Sequence, residues 1–341
     1  MGWILMLEGQ STWIFENKPV IISTATVGGP FEANGNISDD FDILHEDLWL
    51  EQESYEKAHK VLFEEAFTKA IEKANLTKEQ IQFILAGDLI NQITPSSFAA
   101  RTVGSPYLGL FGACSTSMEG LAIGAYITNY GGADYILTGA ASHNAAVEKQ
   151  FRYPTEYGGQ KPPTAQWTVT GAGAAIIGKI GNGPQVTSAT IGRVVDMGLS
   201  DPFNMGGAMA PAAVDTIMAH LRDRHINPSY YDLIVTGDLG QIGHEVSIDL
   251  MKEKGLNINE TNYQDCGLMI YRKDQPVLAG ASGAGCSATV VYGHLLNRMK
   301  QGEFKKILVV ATGALLSPLS FQQKESIPCI AHAVSIEYGG E

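Results

Sequence analysis

The stretch ISTATVG at residues 22–28 returns as VTSATIG at residues 186–192. LAGDL (85–89) returns as VTGDL (235–239), and ADYIL (133–137) as FKKIL (304–308), in the same order along the chain. An ordered repeat whose spacing drifts only through loop length marks a duplicated folding unit. Whatever one half folds into, the other must fold into as well. The division falls at 1–180 and 181–341. Each half runs through a β-branched strand, a helix, an apolar strand ending in Gly-Asp, a second helix and another apolar strand. In the first half, Glu53 to Asn75 carries Ala58, Val61, Leu62, Ala66, Phe67 and Ala70 at helical spacing. Asp215 to Leu221, continuing to Arg224, is its counterpart in the second. Strands alternating with helices predict an α/β fold with a mostly parallel sheet in each half.

Two helices stand apart from the rest. From Ser115 to Tyr130 the sole charge is Glu119, and from Ser287 to Leu296 there is none. A helix apolar nearly all round is covered on both sides. One such helix per half predicts a layered core with a central helix pair between two sheets. Each follows a cysteine, Cys114 in LFGACSTSMEG (110–120) and Cys286 in GASGAGCS (280–287).

Composition narrows the function. Net charge is −13, which argues against a nucleic-acid partner, because phosphate contacts require a basic face. The four cysteines (Cys114, Cys266, Cys286, Cys329) show neither a CxxC nor a Cys/His ligand spacing, so neither a disulfide framework nor a metal site is expected, and a reducing compartment fits. Cys266, Cys286 and Cys329 read as small core residues. The opening MGWILMLEGQ has five apolar residues after Gly2 and no basic flank, so neither a signal peptide nor a transmembrane helix is expected. Membrane association would then be peripheral. The glycines of GAGAA (171–175) and GASGA (280–284) match neither a dinucleotide nor a P-loop spacing, and no cofactor is expected.

Taken together, the duplicated halves, the Gly-Ala-Cys elbow before a buried helix, GAGAA and GASGA resemble the thiolase and ketoacyl synthase superfamily. That resemblance implies a thiolase-like five-layer αβαβα sandwich of two halves with mostly parallel mixed sheets, and by analogy a homodimer. SHNAAVEKQFRYPTEYGGQKP (142–162), DCGLMIY (265–271) and VVATGALLSPLSFQQKESIPCIAHAV (309–334) look like one branch of it, the AD family of stage V sporulation proteins of endospore-forming bacteria. The likeness runs from about Ser11 to Glu337. It implies binding of dipicolinic acid (pyridine-2,6-dicarboxylate); a ligand-bound cation such as calcium is a separate reading of the oxygen ligands Asp88 and Asp238. It further implies uptake of that acid into developing spores, with membrane proteins of the same operon as partners at the spore inner membrane, and a link to germination.

The resemblance also allows the catalytic residues to be sought one by one. A thiol at a helix N-terminus, as Cys114 is placed, gains nucleophilicity from the helix's partial positive charge. Acyl transfer further requires a proton acceptor and an oxyanion hole. In the superfamily, the strand resembling Asp232 to Thr236 leads into a catalytic His or an Asn-containing segment. Here Gly237-Asp238-Leu239-Gly240 follows. The segment resembling Gly280 to Gly283 is preceded there by Gly-His-Pro, and here by Pro276 to Ala279. The second thiolase cysteine would fall near Val310 to Gly313, where none occurs. His244 lies beyond the expected position and reads as a surface side chain. His143, after the strand from Tyr135, is the best remaining histidine, with a hydrogen-bonded loop role as its alternative. Catalysis by the family mechanism is therefore not expected, and Cys114 marks a vestigial nucleophile in a binding pocket. The rival reading is an acyltransferase or condensing enzyme using Cys114.

Ligand residues follow from where strands end in such folds. Asp88 and Asp238 occupy equivalent Gly-Asp-Leu turns, either beside the pocket or as helix N-caps, the second reading weighing more for Asp238. Residues 142–170 form a long connection with Phe151, Arg152, Tyr153, Tyr157, Lys161 and Trp167, suited to a planar dianion or to a dimer contact. The expected ligand-binding set is Asp88, Cys114, His143, Arg152, Lys161, Trp167 and Ser282.

Overall fold

The computed structural model describes residues 6–151 and 161–339. Its first half contains β1 (Leu7–Glu8), β2 (Thr12–Ile14), β3 (Val20–Gly28), β4 (Ile43–Leu44), α1 (Tyr55–Lys73), β5 (Phe83–Gly87), α2 (Thr94–Val103), β6 (Tyr107–Gly109), α3 (Thr116–Asn129), β7 (Tyr135–Ser142), α4 (Asn144–Phe151), β8 (Trp167–Thr168) and β9 (Gly171–Gly178). The second contains β10 (Gln185–Ile191), α5 (Met205–Asp223), β11 (Leu233–Thr236), α6 (Gly240–Glu253), β12 (Tyr263–Asp265), α7 (Cys266–Met269), β13 (Ala281–Ser282), α8 (Ala284–Thr289), α9 (Leu296–Lys300), β14 (Lys306–Ala314), α10 (Pro318–Gln322) and β15 (Cys329–Glu337).

The repeated segments occupy equivalent strands. ISTATVG lies in β3 and VTSATI in β10, the two Gly-Asp segments end β5 and β11, and ADYIL and FKKIL lead into β7 and β14. Strand order is β6-β5-β7-β9-β3 in one run and β12-β11-β14-β15-β10 in the other, and the runs meet where Val20 pairs Gln185. Pairing sense repeats too. β5 is parallel to β6 and β7, as β11 is to β12 and β14, while β9 and β15 are antiparallel to both their neighbours.

Three apolar cores separate five layers. Leu62, Phe63 and Phe67 of α1 pack on the first run with Ile84 and Ile176. Val214 and Ile217 of α5 pack on the second with Leu308 and Val310. Met118, Leu121 and Ala125 of α3 share the middle core with Cys286, Val290 and Val291. The hydroxyls of Ser117 and Ser287 lie 2.7 Å apart, and Tyr292 donates to the Ser117 carbonyl at 3.0 Å, so the central pair is joined by polar contacts as well. A single residual charge, Glu119, is tolerated in α3 because it sits at the edge of the buried face, against Gly112.

Three elements differ from expectation. Helix α5 begins at Met205, ahead of the expected Asp215, because Asn204 caps it by accepting from the Gly207 N–H at 3.3 Å. Gly206 and Gly243 look like helix breakers, yet they let α5 and α6 touch backbone to backbone: a Cβ on Gly206 would stand 2.1 Å from the Leu239 carbonyl oxygen. The connection 142–170 is in part helical, since α4 forms from Asn144 to Phe151. The second buried helix is likewise interrupted, passing from α8 through a π-helical turn at Val290–Leu295 into α9.

Candidate functional site

Cys114 sits on the turn between β6 and α3. The turn is tight because Ala113 adopts φ 54°, a left-handed conformation costing ~1 kcal/mol or more for a residue with a Cβ. It is held from behind by the end of β14, where a Cβ on Gly313 would come 2.5 Å from the Gly112 carbonyl oxygen. Ser115 donates through its hydroxyl to the same carbonyl at 2.6 Å. Cys114 thus reaches a cavity of about 680 Å³, within the range of small-molecule sites. Leu89, Phe111, Val147, Phe151, Leu316 and Leu319 form apolar walls. Cys114, Asn91, Gln150, Thr168, Ser282 and Ser317 supply the polar points.

Behind the thiol stands Asp238. Its carboxylate accepts from the Thr312 hydroxyl at 2.7 Å and from the Gly283 N–H at 3.0 Å, and Cys114 is among the neighbours that bear on its charge. Burial pushes the acid up to about 6, against these hydrogen bonds.

Asp238 is not needed as the cap of its own turn, because another residue caps it. Asp265, at the end of β12, accepts from the N–H groups of Leu239 (2.8 Å) and Gly240 (3.0 Å) and from the Thr236 hydroxyl (2.7 Å). In the first half Asp88 does this for itself, accepting from the N–H groups of Ile90 and Ser96, each at 3.0 Å. The equivalent Gly-Asp-Leu turns hence have different functions: Asp88 is a helix cap with its carboxylate spent on backbone, and Asp238, taken from sequence as the stronger cap candidate, accepts from Thr312 and Gly283 instead. Sequence gave one clue to this, the acid at the head of DCGLMIY.

The other expected site residues fall as follows. Cys114 and Ser282 line the cavity. His143 does not. It is fully buried, its Nε2 meets the Leu48 carbonyl at 2.8 Å, and its ring lies against Tyr55 and His59 beneath α1. Burial depresses its pKa and keeps it neutral. Lys161 pairs with Glu148 at 3.2 Å and lies over the ring of Trp167, which itself stacks on Phe31 at 4.5 Å. Neither Lys161 nor Trp167 is among the lining residues. Arg152, with Tyr153 and Tyr157, lies outside the described residues. His244 stacks on Tyr263 at 4.8 Å in α6, away from the thiol. No histidine lies among the described lining residues. All four cysteines are buried and none forms a disulfide.

A family model described as stage V sporulation protein AD matches residues 9–337. This chain belongs to that family. It is 48% identical over 336 residues to stage V sporulation protein AD of Bacillus subtilis (strain 168), covering 98% of this chain and 99% of the relative. Among solved structures, 3-oxoacyl-[acyl-carrier-protein] synthase III from Aquifex aeolicus VF5 aligns with TM-score 0.56 and 15% identity over 94% of this chain and 100% of that one. A variant of OleA from Xanthomonas campestris aligns with TM-score 0.59 and 14% identity over 96% and 99%. The fold is accordingly thiolase-like, and this chain is a sporulation protein built on a scaffold that also carries synthases. Among the described residues no helix is long and apolar enough to cross a membrane.

Proposed function

We propose that this protein binds dipicolinic acid in the cavity beside Cys114 and serves its uptake into the developing spore without performing acyl transfer. The observation that carries the reading is the cavity itself, whose described lining holds Cys114 without the histidine that acyl transfer uses as its base. The cavity suits a flat aromatic acid. Phe111 and Phe151 offer ring faces, while Asn91, Gln150, Thr168 and Ser282 offer hydrogen bonds to carboxylates. Arg152 directly follows Phe151 in sequence and is the cation we assign to the ligand's charge, with calcium as a companion ion. The protein acts as a homodimer at the spore inner membrane through membrane partners of its operon. In favour of self-association, β6 is an edge strand whose Leu108 is exposed, with exposed Phe111 just beyond it.

Isothermal titration with pyridine-2,6-dicarboxylate, against benzoate, tests the binding. A selective heat is expected, and its absence would overturn the reading. The apolar wall around Cys114 favours one rival, acyl transfer, for which incubation with acyl-coenzyme A and intact-mass measurement would reveal an adduct lost in Cys114→Ala.

A further inference from the structure

The cavity is lined from both halves, and the halves meet there in a small sheet of their own. β8 and β13 run parallel, with Thr168 beside Ser282 and Trp167 beside Ala281. Successive side chains of a strand point to opposite faces. Thr168 and Ser282 line the cavity, whereas Trp167 and Ala281 do not, so the two hydroxyl-bearing side chains share the face turned towards it. Neighbouring strands lie about 4.8 Å apart. The hydroxyls therefore stand side by side, one contributed by each half.

Both residues are almost fully buried, Thr168 at 2% and Ser282 at 6% exposure. Yet neither hydroxyl meets a hydrogen-bond partner among the described residues. Buried hydroxyls nearby are spent: Ser142 donates to the Val169 carbonyl at 2.7 Å, Thr312 donates to Asp238 at 2.7 Å, and Thr170 accepts from the Asn144 N–H at 3.0 Å. Elsewhere in the lining, Ser317 caps α10 and Gln150 gives its oxygen to the Asn91 N–H at 2.8 Å. Two adjacent buried donors without partners are an exception in a native fold and call for an acceptor from outside the chain. Their frame is rigid as well. The Trp167 N–H donates to the Gly280 carbonyl at 2.8 Å and the Val169 N–H to the Ser282 carbonyl at 2.9 Å. Gln166 fastens β13 through the Ala281 carbonyl at 2.9 Å, and Asn144 holds the Thr168 carbonyl at 3.2 Å. The spacing of the two hydroxyls is thus set before a ligand arrives, which lowers the cost of ordering on binding.

We infer that the hydroxyls of Thr168 and Ser282 form a carboxylate-anchoring subsite, each donating to one oxygen of a single carboxylate of the bound aromatic acid. The inference deepens the dipicolinate reading above and rests on it. An ionised carboxylate offers two acceptor oxygens to two donors, whereas a carboxamide offers one and brings donors of its own. Among the described lining residues none is Lys or Arg, so selection at this subsite falls to the number and spacing of neutral donors. A ligand held in this way also ties β8 of the first half to β13 of the second.

Isothermal titration with pyridine-2,6-dicarboxylate tests the subsite on full-length wild type, Ser282→Ala, Thr168→Val and Thr168→Ser, each checked for fold by circular dichroism and Tm. Ser282→Ala and Thr168→Val should each raise Kd roughly tenfold to a hundredfold, the range for a hydrogen bond to a charged group. Thr168→Ser keeps the hydroxyl and should stay within about threefold of wild type. Wild-type affinity in a folded Ser282→Ala or Thr168→Val would overturn the inference. A loss in Thr168→Ser as large as that in Thr168→Val would overturn it too, because packing rather than the hydroxyl would then be responsible. If one of the two deletions does not fold, the other decides. A wild type that gives no heat with dipicolinate overturns the binding reading and the subsite with it, whereas binding that the substitutions leave undiminished overturns the subsite alone.

Discussion

Glu32 offers the sharpest test of how buried acids shape this molecule. It is fully buried, and its Oε1 accepts from the Tyr271 hydroxyl and from the Thr170 N–H at 3.1 Å. Tyr271 belongs to the second half and Thr170 to the first, so the carboxyl group joins the two. Burial raises its pKa from 4.5 to about 7, the hydrogen bonds opposing this only in part. A raised acid contributes stability that is complete below the unfolded value and is lost as pH climbs through the folded one. The window is therefore about pH 4.5 to 7. A shift of that size corresponds to ~3 kcal/mol. Glu32→Gln keeps an oxygen for Tyr271 and Thr170 and removes the charge. For a chain of this length the unfolding entropy is ~0.7 kcal/mol/K, so the gap in Tm between variant and wild type should widen in the variant's favour by ~4 °C between pH 4.5 and pH 8. Thermal scans of both proteins across that range provide the measurement. The remaining buried acids titrate alike in both and cancel in the difference. A gap that stays flat with pH would show that Glu32 is ionised throughout, or neutral throughout, and would refute the reasoning.

Three further outcomes follow from the site. Asp265→Ala leaves two backbone N–H groups and the Thr236 hydroxyl without their acceptor and should lower stability by ~2–4 kcal/mol, read from the urea midpoint, with loss of dipicolinate binding; an unchanged midpoint would count against the clamp. Asp88→Ala removes a cap from α2 at ~1–2 kcal/mol but should leave calorimetric affinity for dipicolinate intact, and a weakened affinity would return Asp88 to the binding site. Gly313→Ala brings a Cβ against the Gly112 carbonyl, so the elbow must shift. Weaker ligand binding at a stability cost of ~1–3 kcal/mol is expected, and wild-type affinity would show that the elbow tolerates displacement.

Much of the architecture is legible in the residues because duplication states it twice. Each repeated strand motif falls in an equivalent strand, and the two nearly uncharged helices fall in the middle core, as a helix without a polar face must. What escapes the sequence is whatever depends on a partner far along the chain. Helix α5 contains Gly206, Gly207 and Pro211, which locally argue against a helix, and it is the close approach of α6 at Gly243 that makes the small residues favourable. His143 follows a strand that ends near the cavity, yet its ring is drawn the other way by the Leu48 carbonyl, 95 positions earlier. Trp167 and Lys161 have the composition of a ligand loop and spend it on each other and on Phe31.

Asp88 and Asp238 show how a duplicated scaffold gains a site. Both end a Gly-Asp segment, and both turns need an acceptor for the N–H groups that open the following helix. In the first half the turn's own aspartate supplies it. In the second, Asp265 supplies it from the neighbouring strand, in the short segment between β12 and α7. That substitution releases Asp238 from a structural duty while keeping it buried at the same place in the fold. A released, buried carboxylate must find other donors, and it finds the Thr312 hydroxyl and the Gly283 N–H. One acid at position 265 thus accounts for the different partners of two otherwise equivalent aspartates.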